Sequence, residues 1–393
     1  MGFDRIAKLI RTIGMVLFNL ILFFLFIEYI QVNIYSYPTP HPFTGNTFYN
    51  PYQNEDVSNW IKANFHAHSN HWKGIFNGNQ SEDEIVKKYH EMGYDLACIS
   101  DYESYSSKEF LPVYEHGFNI SKTHQLVFAP HCVNYFDLPF YQNIDTKQSV
   151  LASLSGQDEM VSLNHPQLWS GYTDDDLKKL QGYNTLEIAT HSGVFTHAWD
   201  IALSSGHPAW LMANDDIHDL NRTDHVGVCW NLVKPDTSSK NLLDDLKTGK
   251  SIGFIGHGGI QDPIFKSLSV VSNTYQLNLN YPASTISLIG QDGKELKTVF
   301  DVSQLTYKLL PTDTYARAEI TTDKSKIYLN PVIRYHNSLN LINSFTVKIN
   351  VLKTVLLKGS IGLLYILIFW LMNRVWILKR GNPNKNLLLA GKK

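Results

Sequence analysis

Three histidines fall within six residues of 61-IKANFHAHSNHWKG-74: His66, His68 and His71. If Ile61 to Phe65 is a strand, alternation turns His66 and His68 to one face. Two neutral imidazoles converging at a strand end make half of a zinc- or manganese-type site. Further apolar runs carry candidates for the other half. In 161-VSLNHPQ-167, His165 follows a run that Pro166 ends. In 186-LEIATHSG-193, His191 is placed the same way, with Glu187 further down the strand. The segment 210-WLMANDDIHD-219 delivers Asp215, Asp216 and His218, of which Asp216 and His218 lie two apart and aim together. Finally, 128-FAPHCVN-134 adds His131 and Cys132.

Successive strand ends carrying soft or carboxylate donors point to a centre of one or two divalent ions. Imidazole-rich ligation favours Zn, Mn or Fe over Mg or Ca. Two such ions about 3.5 to 4 Å apart activate water and neutralise charge on a transferred phosphoryl group. By position, Asp215, His218 and His257 all qualify as the general acid.

Short apolar runs alternate with helical stretches between about residues 60 and 258. One helix, 81-SEDEIVKKYHEMG-93, opens on a Ser81–Glu84 capping box and stops at Gly93. Similar stretches occur at 173-TDDDLKKLQG-182 and 240-KNLLDDLKTGK-250. This alternation describes an α/β barrel with its site at the carboxyl ends of the strands. From about 265, short alternating runs separated by turns such as 290-GQDGK-294 describe a small all-β domain. Aromatic residues near the strand ends, Trp72, Trp169, Trp199 and Trp210, read as packing or as stacking platforms for a sugar or nucleobase.

The chain has 393 residues, 44% of them hydrophobic, and a formal net charge of -2, so no nucleic-acid polymer is expected as a partner. Three scattered cysteines, Cys98, Cys132 and Cys229, make no disulfide framework; Cys98 and Cys229 read as buried apolar residues. Residues 12–30 and 354–373 are each apolar over a length that crosses a bilayer. Arg5, Lys8 and Arg11 precede the first span, while Arg374, Lys379, Arg380, Lys385, Lys392 and Lys393 follow the second. The bias places both termini in the cytoplasm and residues 32–353 outside, a two-pass protein of the cell membrane with the lipid bilayer as partner. The expected organisation is a tail and first helix over 1–31, an extended connector over 32–60 and a metal-binding barrel over 61–262. A β domain over 263–350, a second helix over 354–373 and a basic tail over 374–393 complete it.

From about 61 to 258 the chain resembles the polymerase-and-histidinol-phosphatase (PHP) family of metal-dependent phosphoesterases. FHAHS resembles the family's opening HxH, 92-MGYDLACISDYE-103 its next strand with Asp101 on the aspartate, and SLNHP and EIATHSG two ligand strands. The most specific likeness is 199-WDIALSSGHPAWLMANDDIHD-219; 242-LLDDLKTGKSIGFIGHGG-259 resembles the last helix and strand. The resemblance implies a distorted (β/α)7 barrel. It also implies metal ligands at His66, His68, His165, His191, Asp216 and His218. Three positions depart from the family. Lys73 stands where an aspartate or histidine is usual, supplying positive charge to a phosphate oxygen. Tyr102 replaces a histidine, which frees His218 for acid catalysis or substrate binding. The usual bridging glutamate aligns with Cys132, beside His131, either of which binds one ion.

The expectation is an outward-facing metallo-phosphoesterase acting on a phosphodiester or phosphomonoester, such as an envelope polymer or a lipid-linked phosphate. The alternatives are an inactive scaffold that binds an envelope polymer or partner protein, and a metal-dependent amide or ester hydrolase.

Overall fold

The computed structural model describes residues 2–73, 75, 78–140, 142–155, 160–236, 238–256, 265–336 and 347–380. His257 lies outside them. The chain divides into two compact units, one of Met1–Ser36 with Lys348–Lys393, the other Tyr37–Val347.

The first unit is a helical hairpin. Helices Gly2–Ile30 and Val351–Arg380 contain candidate membrane spans of 26 residues each, Arg5–Ile30 and Val351–Trp376, almost none of whose residues are buried. At 1.5 Å per residue each span is about 39 Å long, enough to cross a hydrocarbon layer. Asn19 and Asn373, polar exceptions in the two runs, meet as an amide pair at 3.5 Å, and Phe26 packs on Tyr365 with centroids 4.5 Å apart. Where the chain leaves the helices, Tyr35–Ser36 pairs antiparallel with Lys348–Ile349, and Thr354 Oγ1 accepts the Ile34 N–H at 2.9 Å.

The second unit is mixed α/β, and among the described residues its strands form two open sheets rather than a closed barrel. One sheet runs in the order Trp210–Ala213, Thr185–Thr190, Met160–Leu163, Gln125–Phe128, Val113–His116. Its first three strands are parallel because helices Asp174–Lys179 and Thr196–Ser204 carry the chain back between them. Only residues 117–124 separate Val113–His116 from Gln125–Phe128, too few for a crossover, so these strands pair antiparallel. The uniform strand–helix alternation expected from the sequence fails at this point.

In the other sheet, Ile61–Asn64 lies between Leu96–Ala97, which is parallel to it across helix Glu82–Glu91, and Cys229–Val233, which is antiparallel. That helix opens on the expected Ser81–Glu84 capping box. The sheet continues through Ser251–Ile255 into the all-β half, where Gly253 faces Tyr328 on strand Lys326–Leu329. The barrel-like and all-β halves thus share one ladder. Residues 274–290 form one 17-residue strand, with a register shift between Asn278 and Ala283, and the turn at 290–293 returns it as Lys294–Lys308. Isolated parallel bridges at Ala67–Ile217 and Tyr102–Glu115 bring together the strand ends that hold the polar residues.

Trp199 and Trp210 are fully buried and donate their indole N–H groups to Ala209 and Lys247 carbonyls, so they are packing residues; Trp72 and Trp169 are exposed. Helix Thr196–Ser204 is locked to the all-β half by Arg317, whose guanidinium forks onto both Asp200 oxygens at 2.7 Å and lies over Trp199. Tyr315 donates to the same carboxylate at 2.9 Å. Removing Asp200 leaves the buried Arg317 guanidinium with only Glu319, 2.7 Å away, to compensate its charge. Asp200→Ala is therefore expected to lower stability by about 3 kcal/mol, measured as a shift in the denaturant midpoint.

Candidate metal centre

The chain turns sharply after several strands, and these turns aim the polar side chains inward. His66 and His68 follow Ile61–Asn64, and both are buried. Beyond Trp210–Ala213, Asp216 is held at φ 54°, and beyond Met160–Leu163, His165 at φ 27°. Left-handed backbone at non-glycine residues is strained, and such strain clusters at functional sites. Here it separates neighbours. Asp216 faces the histidines, while Asp215 turns away to accept the N–H groups of Gly227, Val228 and Cys229 and the Tyr89 hydroxyl at 2.6–2.8 Å. Asp215 is thus a wholly engaged structural carboxylate, and its expected role as an acid is corrected.

Glu115, on strand Val113–His116 and fully buried, stands at the middle of the cluster. His66 Nε2 is 3.3 Å from its Oε1 and His68 Nε2 is 3.2 Å from its Oε2. His124 Nδ1 and His165 Nε2 approach Oε1 from the other side at 3.1 and 3.4 Å. Asp216 Oδ1 closes the first group, 3.2 Å from His66 and 3.4 Å from His68, and His218 lies 3.4 Å beyond it. Ligand atoms arranged tetrahedrally at 2.0–2.1 Å around one ion are separated by about 3.3–3.4 Å. The observed spacings match. His66, His68 and Glu115 form one donor set, Glu115, His124 and His165 a second that shares Glu115 with it, and His68, Asp216 and His218 a third that shares His68. The buried His165 Nδ1 has no hydrogen-bond partner among the described residues. Buried atoms of this kind are costly unless another group completes them. The cluster is suited to divalent metal.

A supporting layer orients these donors. Glu187 Oε1 accepts from His66 Nδ1 at 3.0 Å, which turns Nε2 toward the cluster. The other Glu187 oxygen takes the His165 backbone N–H at 3.0 Å, and Asn214 Nδ2 donates to Oε1. Asn164 donates to Glu115 at 3.0 Å. Asp101 accepts from the Ser69 amide and hydroxyl and, with His71 and Glu82, forms a further, more open donor group.

Burial opposes every charge here, and mutual attraction overrides it in part. For His66, the carboxylates of Asp216, Glu187 and Glu115 outweigh burial and hold it well above its ordinary value. Against burial, Asp216 and Glu115 raise His68 to about 9. Glu115 and Asp216 are held well below the carboxylate range by the surrounding imidazoles. Burial dominates at His218 and His124, which lie below their ordinary value. Burial also pushes the Tyr102 phenol up, as does Glu115 beside it.

The expected residues separate accordingly. His66, His68, His165, Asp216 and His218 converge. His191 is in neither shared donor set; its Nδ1 engages the Asp215 carbonyl at 2.6 Å and its ring stacks on His225 at 3.9 Å. Lys73 is exposed in a turn closed on the Asn70 carbonyl and joins no donor group. His131 and Cys132 are exposed and outside the donor groups. They follow the end of Gln125–Phe128 that pairs with Val113, the far end from Glu115. The carboxylate in the cluster is Glu115, on the strand before the one that Cys132 follows. His124 was missed for the same reason: an antiparallel strand brings its first residue, not its last, to the site edge. The overlooked signal was Glu115 and His116 closing the apolar run 111-LPVYEH-116 just before a tight turn.

The chain matches no family profile and no curated protein. Among solved structures it is similar to a two-domain protein of Bacteroides vulgatus ATCC 8482, described as containing a predicted PHP-like metal-dependent phosphoesterase. The TM-score is 0.40 at 13% identity, covering 75% of this chain and 93% of that one.

Because His68 lies at about 9 and His66 also lies high, both carry protons at neutral pH that an incoming cation displaces. Zinc binding should therefore release protons, and apparent affinity should climb as pH rises toward 9. Calorimetry in buffers of different ionisation enthalpy measures this directly; a buffer-independent heat contradicts it. Glu187→Ala, which frees the His66 ring, should weaken metal binding by roughly 10- to 100-fold, read by chelator competition.

Proposed function

We propose that the chain is a metal-dependent phosphoesterase anchored in the membrane by its two terminal helices. One observation carries the reading: a single buried carboxylate, Glu115, is shared by two donor sets. Bound there, a pair of divalent ions such as Zn, Mn or Fe would supply Lewis-acid charge to a phosphoryl group and lower the pKa of attacking water. His66, His68 and Asp216 with Glu115 would hold one ion, and His124 and His165 with Glu115 the other. Glu187 keeps His66 Nε2 pointed inward. Tyr102, whose phenol retains its proton, hydrogen-bonds Glu115 and helps hold that carboxylate in place. His218, at the mouth and held below its ordinary value, serves as a ligand or proton acceptor rather than the acid expected from its position.

The inactive-scaffold alternative rests on the departures at Lys73, Tyr102 and Cys132, and against it Glu115 offers a carboxylate in place of the one lacking at Cys132. The positive residues flanking the spans favour cytoplasmic termini, with residues 32–353 on the outer face and an envelope or lipid-linked phosphate within reach.

His165→Ala should abolish turnover of a phosphodiester or phosphomonoester, a loss of at least about 100-fold, in a protein that still folds. Cys132→Ala should retain activity. Unchanged turnover in His165→Ala overturns the reading, and loss in Cys132→Ala would restore the sequence-based ligand.

A further inference from the structure

A cleft of about 420 Å³ opens beside the centre, and two of its lining residues, His124 and His218, belong to the donor groups. The remainder of its wall is mostly carbon. Tyr102 stacks on His68 with centroids 5.0 Å apart and meets Phe118 edge-on at 6.3 Å. Phe118 is 52% exposed and Ile120 71%, although both line the cleft and neither lies in a regular element. The connection that carries them is the one joining the two antiparallel strands that position Glu115 and His124, so the wall and the centre share one frame.

The polar groups of this wall are few, and most are engaged. Asn119 is consumed internally: its Oδ1 accepts the Ser121 and Thr123 N–H groups, and its Nδ2 donates to Asp137 and to the Thr123 carbonyl. Lys122 lines the same cleft, is half-buried with φ 55°, and has no carboxylate partner among the described residues. A polyhydroxylated sugar needs several donors and acceptors to be recognised in a cleft. This one offers, outside the centre, a single cation and an apolar wall.

We infer that the cleft binds the non-phosphate part of the substrate, and that the substrate is a phosphate ester with an apolar body, its phosphoryl group bound between the metal centre and Lys122. The inference rests on the phosphoesterase reading of the centre. Phe118 and Ile120 take the apolar chain and Lys122 the remaining phosphoryl charge. The same chemistry belongs to a free alkyl phosphate and to a lipid headgroup.

The test uses the full chain in lipid nanodiscs, loaded with Mn2+, and the non-hydrolysable series methyl-, butyl- and hexylphosphonate, with empty nanodiscs subtracted. Affinity should rise roughly two- to fourfold per methylene, and the Phe118→Ser/Ile120→Ser variant should flatten that rise. Lys122→Gln should weaken all three ligands by a similar factor. Affinity independent of chain length, with methylphosphonate still bound, overturns the apolar subsite and leaves the centre standing. A rise that persists in the double variant overturns it as well. Failure of methylphosphonate to bind the loaded protein overturns the centre itself, and with it the inference. Displacement of hexylphosphonate by phosphatidic acid in the nanodisc supports a lipid source, and displacement by soluble esters alone supports a free one.

Discussion

A carboxylate with no exposure, surrounded by four imidazoles, is the interaction on which the rest of the unit depends. Glu115 is fully buried, and His66, His68, His124 and His165 approach it within 3.1–3.4 Å. Isolated charge in such a place is strongly disfavoured, so these groups must compensate one another or be compensated by a cation. Their anchoring strands come from both sheets, which meet here through the Tyr102–Glu115 and Ala67–Ile217 bridges. The electrostatic requirement and the joining of the sheets are therefore one constraint.

The division of labour between adjacent acids follows from that constraint. Asp215 and Asp216 are chemically identical and consecutive, yet the left-handed turn at Asp216 sends one toward imidazoles and the other toward three backbone N–H groups. The first is free to meet a cation; the second holds the 227–229 segment in place. Glu187 makes a similar choice, spending its oxygens on orienting His66 and fixing the His165 backbone rather than on an ion. Long-range order of this type keeps ligand atoms at ionic spacing before an ion arrives.

Much of this was legible in the residues. HxH after an apolar run, a histidine before Pro166 and the Asp216–His218 pair mark strand ends by their own patterning, and the capping box at Ser81 and Glu84 marks its helix. The misreadings at His131 and Cys132 share one cause. Regular strand–helix alternation assigns every ligand to a carboxyl end, and the short connection over 117–124 reverses one strand. Reversal brings His124 rather than His131 to the site edge and leaves Cys132 exposed, while Glu115, one strand earlier, lies among the imidazoles. Local pattern fixes which face a side chain takes, but strand direction depends on the connection.

The central claim is that Glu115 joins two metal sites into one centre, and the most direct measurement is the metal content of the purified full chain after reconstitution with Zn or Mn, beside Glu115→Gln. The account predicts about two equivalents per chain, falling to one or fewer in the variant. Two equivalents in both proteins would contradict the bridging role, and none in the wild-type chain would contradict the centre.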